Sequence, residues 1–208
     1  MLFETLMVGN LAEKSLAFCA ILTATVRATA RYRAATSPSG SATTVMRSSE
    51  VSVEVEAITK DSFEGKWKVI FFYPKDFTFV CPTEIAEFAS LARDFDDRDT
   101  VVLGGSTDNE FVKLAWRRDH ADLSKLPIWQ FADNGGKLAR ALGVMDENEG
   151  VALRATFVVD PHNVIQHVYV TNLNVGRSPE DTLRVVDALQ TDELCACNRP
   201  VGGDVLAA

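Results

Sequence analysis

The pattern of apolar and polar positions along the chain predicts a series of strands and helices. Residues 68–73 are almost entirely Val, Ile, Phe and Tyr, which is typical of a strand buried on both faces. Residues 100–105 predict a second buried strand. Residues 51–56 alternate apolar and charged positions, as in a half-buried strand, and the runs 156–160 and 164–170 flank a short turn and predict a hairpin.

Helical periodicity follows these strands. Residues 82–95 place Ile85 and Phe88 on one apolar face, and residues 109–119 and 137–142 predict two further helices. Ser178 is a suitable N-cap and Pro179 suits the first helical position, so a last helix is expected from there to about residue 189. The order of strands and helices predicts an α/β fold.

Composition and charge exclude some function classes. The chain has 208 residues, a formal net charge of −8 and four cysteines. This acidity argues against a nucleic-acid-binding surface, which would be basic. So few cysteines do not make a disulfide scaffold in a chain of this length, and they suit an intracellular protein in which a few thiols react. No run is long enough to predict a membrane span.

The first 49 residues differ from the rest. They carry five basic and two acidic residues, and residues 23–49 are rich in Thr, Ala, Ser and Arg. A targeting segment, a disordered tail and translation from a wrong start or frame are all consistent with this composition, and we favour the last two. We therefore divide the chain into residues 1–49, a globular domain of residues 50–190 and a tail of residues 191–208.

Cys81 is the first candidate for chemistry. Pro82 fits the start of a helix, so Cys81 should lie at or next to the N-cap, where unpaired N–H groups and the helix dipole favour an anion. A thiolate is such an anion, and it is the nucleophilic form of cysteine. The alternative is a buried structural cysteine, since this residue type is often buried.

Two motifs resemble a known family. The pattern Pro74-x-x-x-Thr78-x-x-Cys81 is similar to the active-site motif of the peroxiredoxins, and residues 77–84 (FTFVCPTE) are similar to its typical 2-Cys form. Residues 192–198 (DELCACN) resemble the C-terminal region of alkyl hydroperoxide reductase C subunits of actinobacterial type. The resemblance runs from about Val55 to Asn198. It implies a thioredoxin-like three-layer fold with a mixed central sheet.

The resemblance also implies roles for particular residues. Cys81 would be the peroxidatic nucleophile, Thr78 would hold the peroxide, and Pro74 would shield the site from water. Arg154 matches the family arginine that stabilises the thiolate and donates to the peroxide oxygens, and Glu84 matches the glutamate that orients the donors. Without the family match, Arg154 would be read as a surface arginine and Glu84 as an acid that suits a helix start.

Cys195 and Cys197 form a C-x-C pair in a polar tail. Half of a zinc site is one interpretation, but the three histidines supply no sensible further ligand spacing. The resemblance implies instead that a flexible tail delivers Cys195 to the oxidised Cys81 of a partner chain, because a sulfenic acid condenses readily with a thiol. Cys197 would then pass the disulfide outward by exchange.

The implied function is a cytoplasmic, thiol-dependent peroxidase that reduces hydrogen peroxide and organic hydroperoxides without metal, haem or flavin. Its partners would be a dithiol reductant, either a thioredoxin or a dedicated alkyl hydroperoxide reductase adaptor, and further copies of itself in a homodimer or a ring of dimers. Two rivals remain: a thioredoxin-like disulfide carrier, against which Thr78 speaks because it occupies the place of the second cysteine, and a ring-forming holdase.

Overall fold

The structure is a computed structural model that describes residues 25–30, 51–56 and 60–206. Within these ranges the strands are β1 (Thr25–Ala30), β2 (Val51–Glu56), β3 (Trp67–Phe72), β4 (Thr100–Ser106), β5 (Trp129–Ala132), β6 (Met145–Asp146), β7 (Val151–Ala152), β8 (Arg154–Val159) and β9 (Ile165–Thr171). The helices are α1 (Cys81–Ser90), α2 (Ala92–Asp96), α3 (Glu110–Asp119), α4 (Lys137–Ala141) and α5 (Pro179–Gln190), preceded by a 3₁₀ turn at Lys60–Phe63.

The described strands form a mixed sheet. Its order is β2-β1-β5-β4-β3-β8-β9, with β3, β4 and β5 parallel and the other pairs antiparallel, while β6 and β7 form a small separate ribbon. The predicted α/β plan with a mixed central sheet is thus confirmed, as is the hairpin of β8 and β9. Among the described residues, no helix is long and apolar enough to cross a bilayer.

Strand β3 divides the core into two layers because its side chains alternate between the faces of the sheet. Ile70 and Phe72 pack with the α4 side of the molecule, whereas Val69, Phe71 and Tyr73 pack with α1, α3 and α5. All five are fully buried. Helices therefore cover both faces of β3, which explains why its sequence is apolar without alternation.

A glycine in β4 determines how α1 sits on the sheet. A Cβ atom added at Gly104 would overlap the ring of Phe71 on the neighbouring strand, so only glycine lets that ring lie across β4. The ring then stacks on Phe88 of α1, with centroids 4.1 Å apart and planes 13° apart. This contact fixes the helix that begins with Cys81.

Some predicted boundaries change in the structure. The helix expected over residues 82–95 is interrupted at Leu91, whose backbone (φ −91°, ψ 7°) ends α1 and precedes α2. The two segments let Phe88 and Phe95 pack in one core layer. Ser178 caps α5 by accepting from the Asp181 amide, as predicted, and Asn109 caps α3 by accepting from Val112.

Strands β1 and β5 and the short strands β6 and β7 were not predicted. In β5 the buried Gln130 interrupts the apolar pattern, and its amide is satisfied only by tertiary partners, Arg117 Nη1 at 3.2 Å and Tyr73 OH at 3.3 Å. Strand β1 lies within residues 1–49, the segment that the sequence analysis separates from the globular domain. The other residues of the segment 1–49, including Cys19, lie outside the described residues.

The C-terminal tail contacts its own chain at several points. Asp187 on α5 accepts hydrogen bonds from Arg199 Nη1 at 2.6 Å and from the Gly202 amide at 2.9 Å, and it also pairs with Arg98 Nε at 2.9 Å. The Leu206 amide donates to Leu194 O at 2.8 Å. One carboxylate of α5 thus binds both the tail and Arg98, which lies two residues beyond the end of α2.

Asp187→Asn should loosen this tail. Burial by itself would raise the pKa of Asp187, but the hydrogen bonds from Gly202, Arg199 and Arg98 outweigh it and hold that pKa below its usual value. The stabilisation is therefore complete at neutral pH and is lost as the pH falls below about 4. Urea unfolding should show a loss of about 1–3 kcal/mol in the variant at pH 7, shrinking on acidification.

The matched control is Asp181→Asn, which removes an exposed ion pair of the same helix (Asp181 Oδ1 to Arg184 Nε, 2.7 Å) without touching the tail. Amide hydrogen exchange of residues 191–206 should accelerate in Asp187→Asn and not in the control. Equal protection of the tail in both variants would contradict the role assigned to Asp187.

Candidate active site

Cys81 is the first residue of α1, next to the N-cap Val80, with Pro82 following inside the first turn. The placement predicted from Pro82 is therefore confirmed. The side chain is 1% exposed. It sits at the positive end of a ten-residue helix, in a position that favours an anionic sulfur.

Arg154 is the nearest charged group to the thiol. Its Nη1 atom lies 3.5 Å from Cys81 Sγ, and its Nε donates to Leu173 O at 2.7 Å. Arg154 is the first residue of β8, which pairs directly with β3, and the guanidinium is fixed between these two partners. At 4% exposed it is not the surface arginine of the alternative interpretation.

Glu84 joins this arginine to a second one. It lies one helical turn beyond Cys81, and its Oε2 accepts from Arg154 Nη1 at 2.5 Å. Arg177 donates to the same carboxylate from Nε at 2.8 Å, Nη2 at 3.0 Å and its backbone amide at 3.0 Å. Glu84 is 3% exposed, so it is a buried bridge between two cations and not simply an acid at a helix start.

Arg177 was missed by the sequence analysis. Its Nη1 donates to Ala155 O at 2.9 Å and its guanidinium lies over the Phe71 ring, 5.3 Å from the centroid. A signal existed, because Arg177 directly precedes the N-cap of α5, where a cation is electrostatically unfavourable unless another group compensates it. Only the fold shows that Glu84 is that group.

The charges of this cluster balance only if the sulfur is ionised. Arg154 and Arg177 are both buried, and Glu84 supplies a single negative charge. Buried charges are costly unless they are paired. A thiolate at Cys81 would bring the cluster of four groups to neutrality, so the surroundings favour a nucleophilic cysteine.

Pro74 and Thr78 lie on the segment between β3 and α1. Pro74 is half-buried just after the strand, and the Thr78 hydroxyl donates to Lys75 O at 2.9 Å. The structure thus brings Cys81, Glu84 and Arg154 into contact, while the Thr78 side chain bonds within its own loop.

Cys195 and Cys197 lie in the tail. Cys195 Sγ is 3.4 Å from Thr191 Oγ1 and 3.7 Å from Ala188 O, at the end of α5, and Cys197 is exposed. Cys81, Cys195 and Cys197 are all free thiols in the structure. Over the part of the chain that the structure describes, no group of three or more His, Cys, Asp and Glu side chains could hold a metal ion.

Comparison with known proteins agrees with this geometry. Residues 43–168 match the model of the AhpC/TSA family. Alkyl hydroperoxide reductase C of Mycolicibacterium smegmatis is 55% identical over 151 residues, which are 73% of this chain and 77% of that protein. The human mitochondrial thioredoxin-dependent peroxide reductase is 43% identical over 155 residues, or 71% of this chain and 60% of that protein.

Solved structures show the same fold. Mycobacterium tuberculosis AhpC superposes with a TM-score of 0.64 at 53% identity, covering 68% of this chain and 79% of that one. The reduced 2-Cys peroxiredoxin of Plasmodium vivax superposes with a TM-score of 0.68 at 29% identity, covering 74% and 83%. The expected thioredoxin-like peroxiredoxin fold is confirmed, and the chain belongs to the AhpC/TSA family.

Proposed function

We propose that the protein is a thiol-dependent peroxidase of the typical 2-Cys peroxiredoxin kind, with Cys81 as its nucleophile. The observation that carries the proposal is the buried cluster around this sulfur: a helix start, Arg154 Nη1 at 3.5 Å, and two arginines that share one carboxylate. The 55% identity to an alkyl hydroperoxide reductase C supports the same activity.

The chemistry follows from the charges. The Cys81 thiolate attacks one oxygen of a hydroperoxide, a new S–O bond forms, and the O–O bond breaks. The departing oxygen leaves as hydroxide or alkoxide and takes up a proton, so that water or an alcohol is released and Cys81 becomes a sulfenic acid. Arg154 donates to the oxygens on which negative charge develops, while Glu84 and Arg177 hold its guanidinium in place.

The loop residues would complete the peroxide pocket. The Thr78 hydroxyl, now bonded to Lys75 O, could turn and donate to or accept from the bound peroxide. Pro74 has no amide hydrogen and lies half-buried beside the site, so it would help to exclude water. Hydrogen peroxide and organic hydroperoxides are the substrates that we propose.

A second chain would complete the cycle. Cys195 is held at the end of its own α5, so we assign it to the oxidised Cys81 of a partner chain, with an intersubunit disulfide as the product and Cys197 as the outward relay. Exposed aromatic side chains support assembly into a homodimer and a ring of dimers, since Phe77, Phe79 and Phe111 are 53%, 94% and 69% exposed.

The disulfide must then be reduced. An exposed Cys197 suits attack by a dithiol protein, either a thioredoxin or a dedicated alkyl hydroperoxide reductase adaptor. The names of the mitochondrial relatives state thioredoxin dependence for those proteins. Regeneration by such thiols requires a reducing compartment, and we propose the cytoplasm. The holdase alternative would leave the charge cluster at Cys81 without a purpose, and Thr78 in the place of a second cysteine speaks against the disulfide carrier.

Cys81→Ser should abolish peroxide consumption, because a hydroxyl is not ionised by surroundings that suffice for a thiol. The measurement is the loss of hydrogen peroxide and of free thiols in the purified full chain. The control is Cys197→Ser, which should still consume one equivalent of peroxide per chain. Substantial turnover by Cys81→Ser would contradict the assignment of Cys81 as the nucleophile, whereas a wild type that consumes no peroxide would favour the holdase alternative.

Arg154→Ala should slow oxidation of Cys81 by about 100- to 1000-fold, since one donor to a developing negative charge has an effect of this size. Glu84 keeps its pairing with Arg177 in this variant, so the fold should persist. Stopped-flow fluorescence measures the oxidation rate. Arg140→Ala, which removes the exposed pair with Glu147, is the control and should react like the wild type. An unchanged rate in Arg154→Ala would contradict its role.

Peroxide should convert the wild type into a disulfide-linked dimer. This dimer should appear on a non-reducing denaturing gel and disappear when a reductant is added. Cys195→Ser should lose most of this dimer, and the Cys195→Ser/Cys197→Ser variant should lose all of it and stop after one turnover with a dithiol protein. Its Cys81 should then gain a second oxygen to give the sulfinic acid. Mass spectrometry of wild-type Cys81 after cycling should show little of this product; a dominant sulfinic acid would contradict the resolving role of the tail.

A further inference from the structure

A second buried charge lies behind the active-site loop and takes no part in the chemistry described so far. Lys113 of α3 is completely buried, and its Nζ lies 3.2 Å from both carboxylate oxygens of Asp76. The same atom donates to Ser106 Oγ at 2.7 Å and to Tyr73 OH at 3.2 Å. The ammonium thus has its donors satisfied in the interior of the protein.

Asp76 belongs to the loop that carries the proposed peroxide-binding residues, between Pro74 and Thr78. Besides its ion pair with Lys113, its Oδ1 accepts from Ser106 Oγ at 3.2 Å, and its backbone amide donates to Asp108 Oδ2 at 2.8 Å. The side chain of Asp76 is 1% exposed. The loop is therefore anchored by both the backbone and the side chain of one residue.

The next residue shows that the loop needs such an anchor. Phe77 has a φ of 55°, a conformation that is strained for a residue with a Cβ atom. Strain of this kind persists only where the surroundings hold it in place. Asp76 precedes Phe77 directly, and the Phe77 ring packs at 5.8 Å on Trp116, three residues beyond Lys113 on α3.

We infer that Lys113 is a positioning residue for the peroxidase reaction: by holding Asp76, it keeps the loop of residues 75–80 folded beside Cys81, so that Thr78 and Arg154 face the same peroxide. This inference rests on the proposed function. Lys113 touches neither the sulfur nor the guanidinium of Arg154 in the described contacts; it acts through Asp76. Helix α3 thereby serves as the template on which the loop is shaped.

Stability alone does not account for the pair. Burial is the largest influence on both groups, lowering the pKa of Lys113 and raising that of Asp76, and their mutual attraction opposes these changes. A buried ion pair is often no better for stability than apolar side chains of similar size. A geometric role explains why both charges are buried here.

The test compares Lys113→Met, the double variant Lys113→Met/Asp76→Leu and the wild type, all as full chains. In the double variant no charge of the pair is left unpaired, Ser106 Oγ keeps Asp108, and Tyr73 OH keeps Gln130, so this variant should fold. The control is Lys66→Met, which removes an exposed lysine–aspartate pair far from the loop (Lys66 Nζ to Asp99 Oδ1, 2.6 Å).

Two rates are measured: oxidation of Cys81 by hydrogen peroxide, and alkylation of Cys81 by iodoacetamide at a pH where the thiol is fully ionised. Both loop variants should oxidise about 10- to 100-fold more slowly, because a misplacement of about 1 Å has an effect of this size. Their alkylation should be as fast as in the wild type or faster, because an open loop exposes the sulfur. General damage to the fold would appear as a urea unfolding midpoint of the loop variants that lies below that of the Lys66→Met control.

An oxidation rate of folded Lys113→Met within about threefold of the wild-type rate would overturn the inference. Full recovery of the rate in the double variant would also overturn it, because the slow oxidation of Lys113→Met would then come from the unpaired charge of Asp76. Should Lys113→Met fail to fold, the double variant decides alone, and Asp76→Asn should show a smaller loss in the same direction. A wild type that consumes no peroxide would instead reject the proposed function.

Discussion

The site depends on one buried carboxylate that is shared by two arginines. Glu84 accepts from Arg154 and Arg177, and these three side chains come from α1, from the start of β8 and from the residue before α5. Removing Glu84 would leave two buried cations facing each other, a change that typically costs about 3–5 kcal/mol. The same excess of positive charge favours a thiolate at Cys81, so the interaction that holds three elements together also favours the proposed nucleophile.

The rest of the fold brings these elements to one place. Strand β3 pairs with β4 and with β8. Arg154, the first residue of β8, therefore lies beside the end of β3 that leads into the active-site loop. Gly104 allows the Phe71 ring to lie across β4, and the stack of Phe71 on Phe88 then fixes α1. The face of Phe71 also lies beneath Arg177. One aromatic ring therefore connects the sheet, the catalytic helix and the second arginine.

The tail and the loop differ in how they are restrained. The loop is anchored in the interior by Lys113 and Asp76, whereas the tail with Cys195 is held at the surface by Asp187, Arg199 and Gly202. The side chains of Lys113 and Asp76 are 0% and 1% exposed, whereas those of Arg199 and Asp187 are 5% and 13% exposed, and the second pair is lost when acid protonates Asp187. In the reaction that we propose, the tail leaves its own chain after Cys81 has been oxidised, whereas the loop stays in place.

The sequence by itself determined the elements whose signals are local. Unbroken apolar runs indicated β3 and β4, periodicity indicated α3, and the cap at Ser178 indicated α5. Pro82 placed Cys81 at a helix start, because side-chain periodicity and capping depend on neighbours in the chain. The motif around Cys81, with Arg154, was also sufficient to indicate the family. These predictions needed no knowledge of what packs against what.

Only the tertiary structure decided the rest. Gln130 in β5, Arg177, and the pair of Lys113 with Asp76 are polar or charged groups in the interior, and each is stable there only because residues distant in sequence satisfy it. The docking of the tail through Asp187 has the same cause. A sequence pattern shows that such a residue is polar, but the partner that makes its burial possible exists only after the chain has folded.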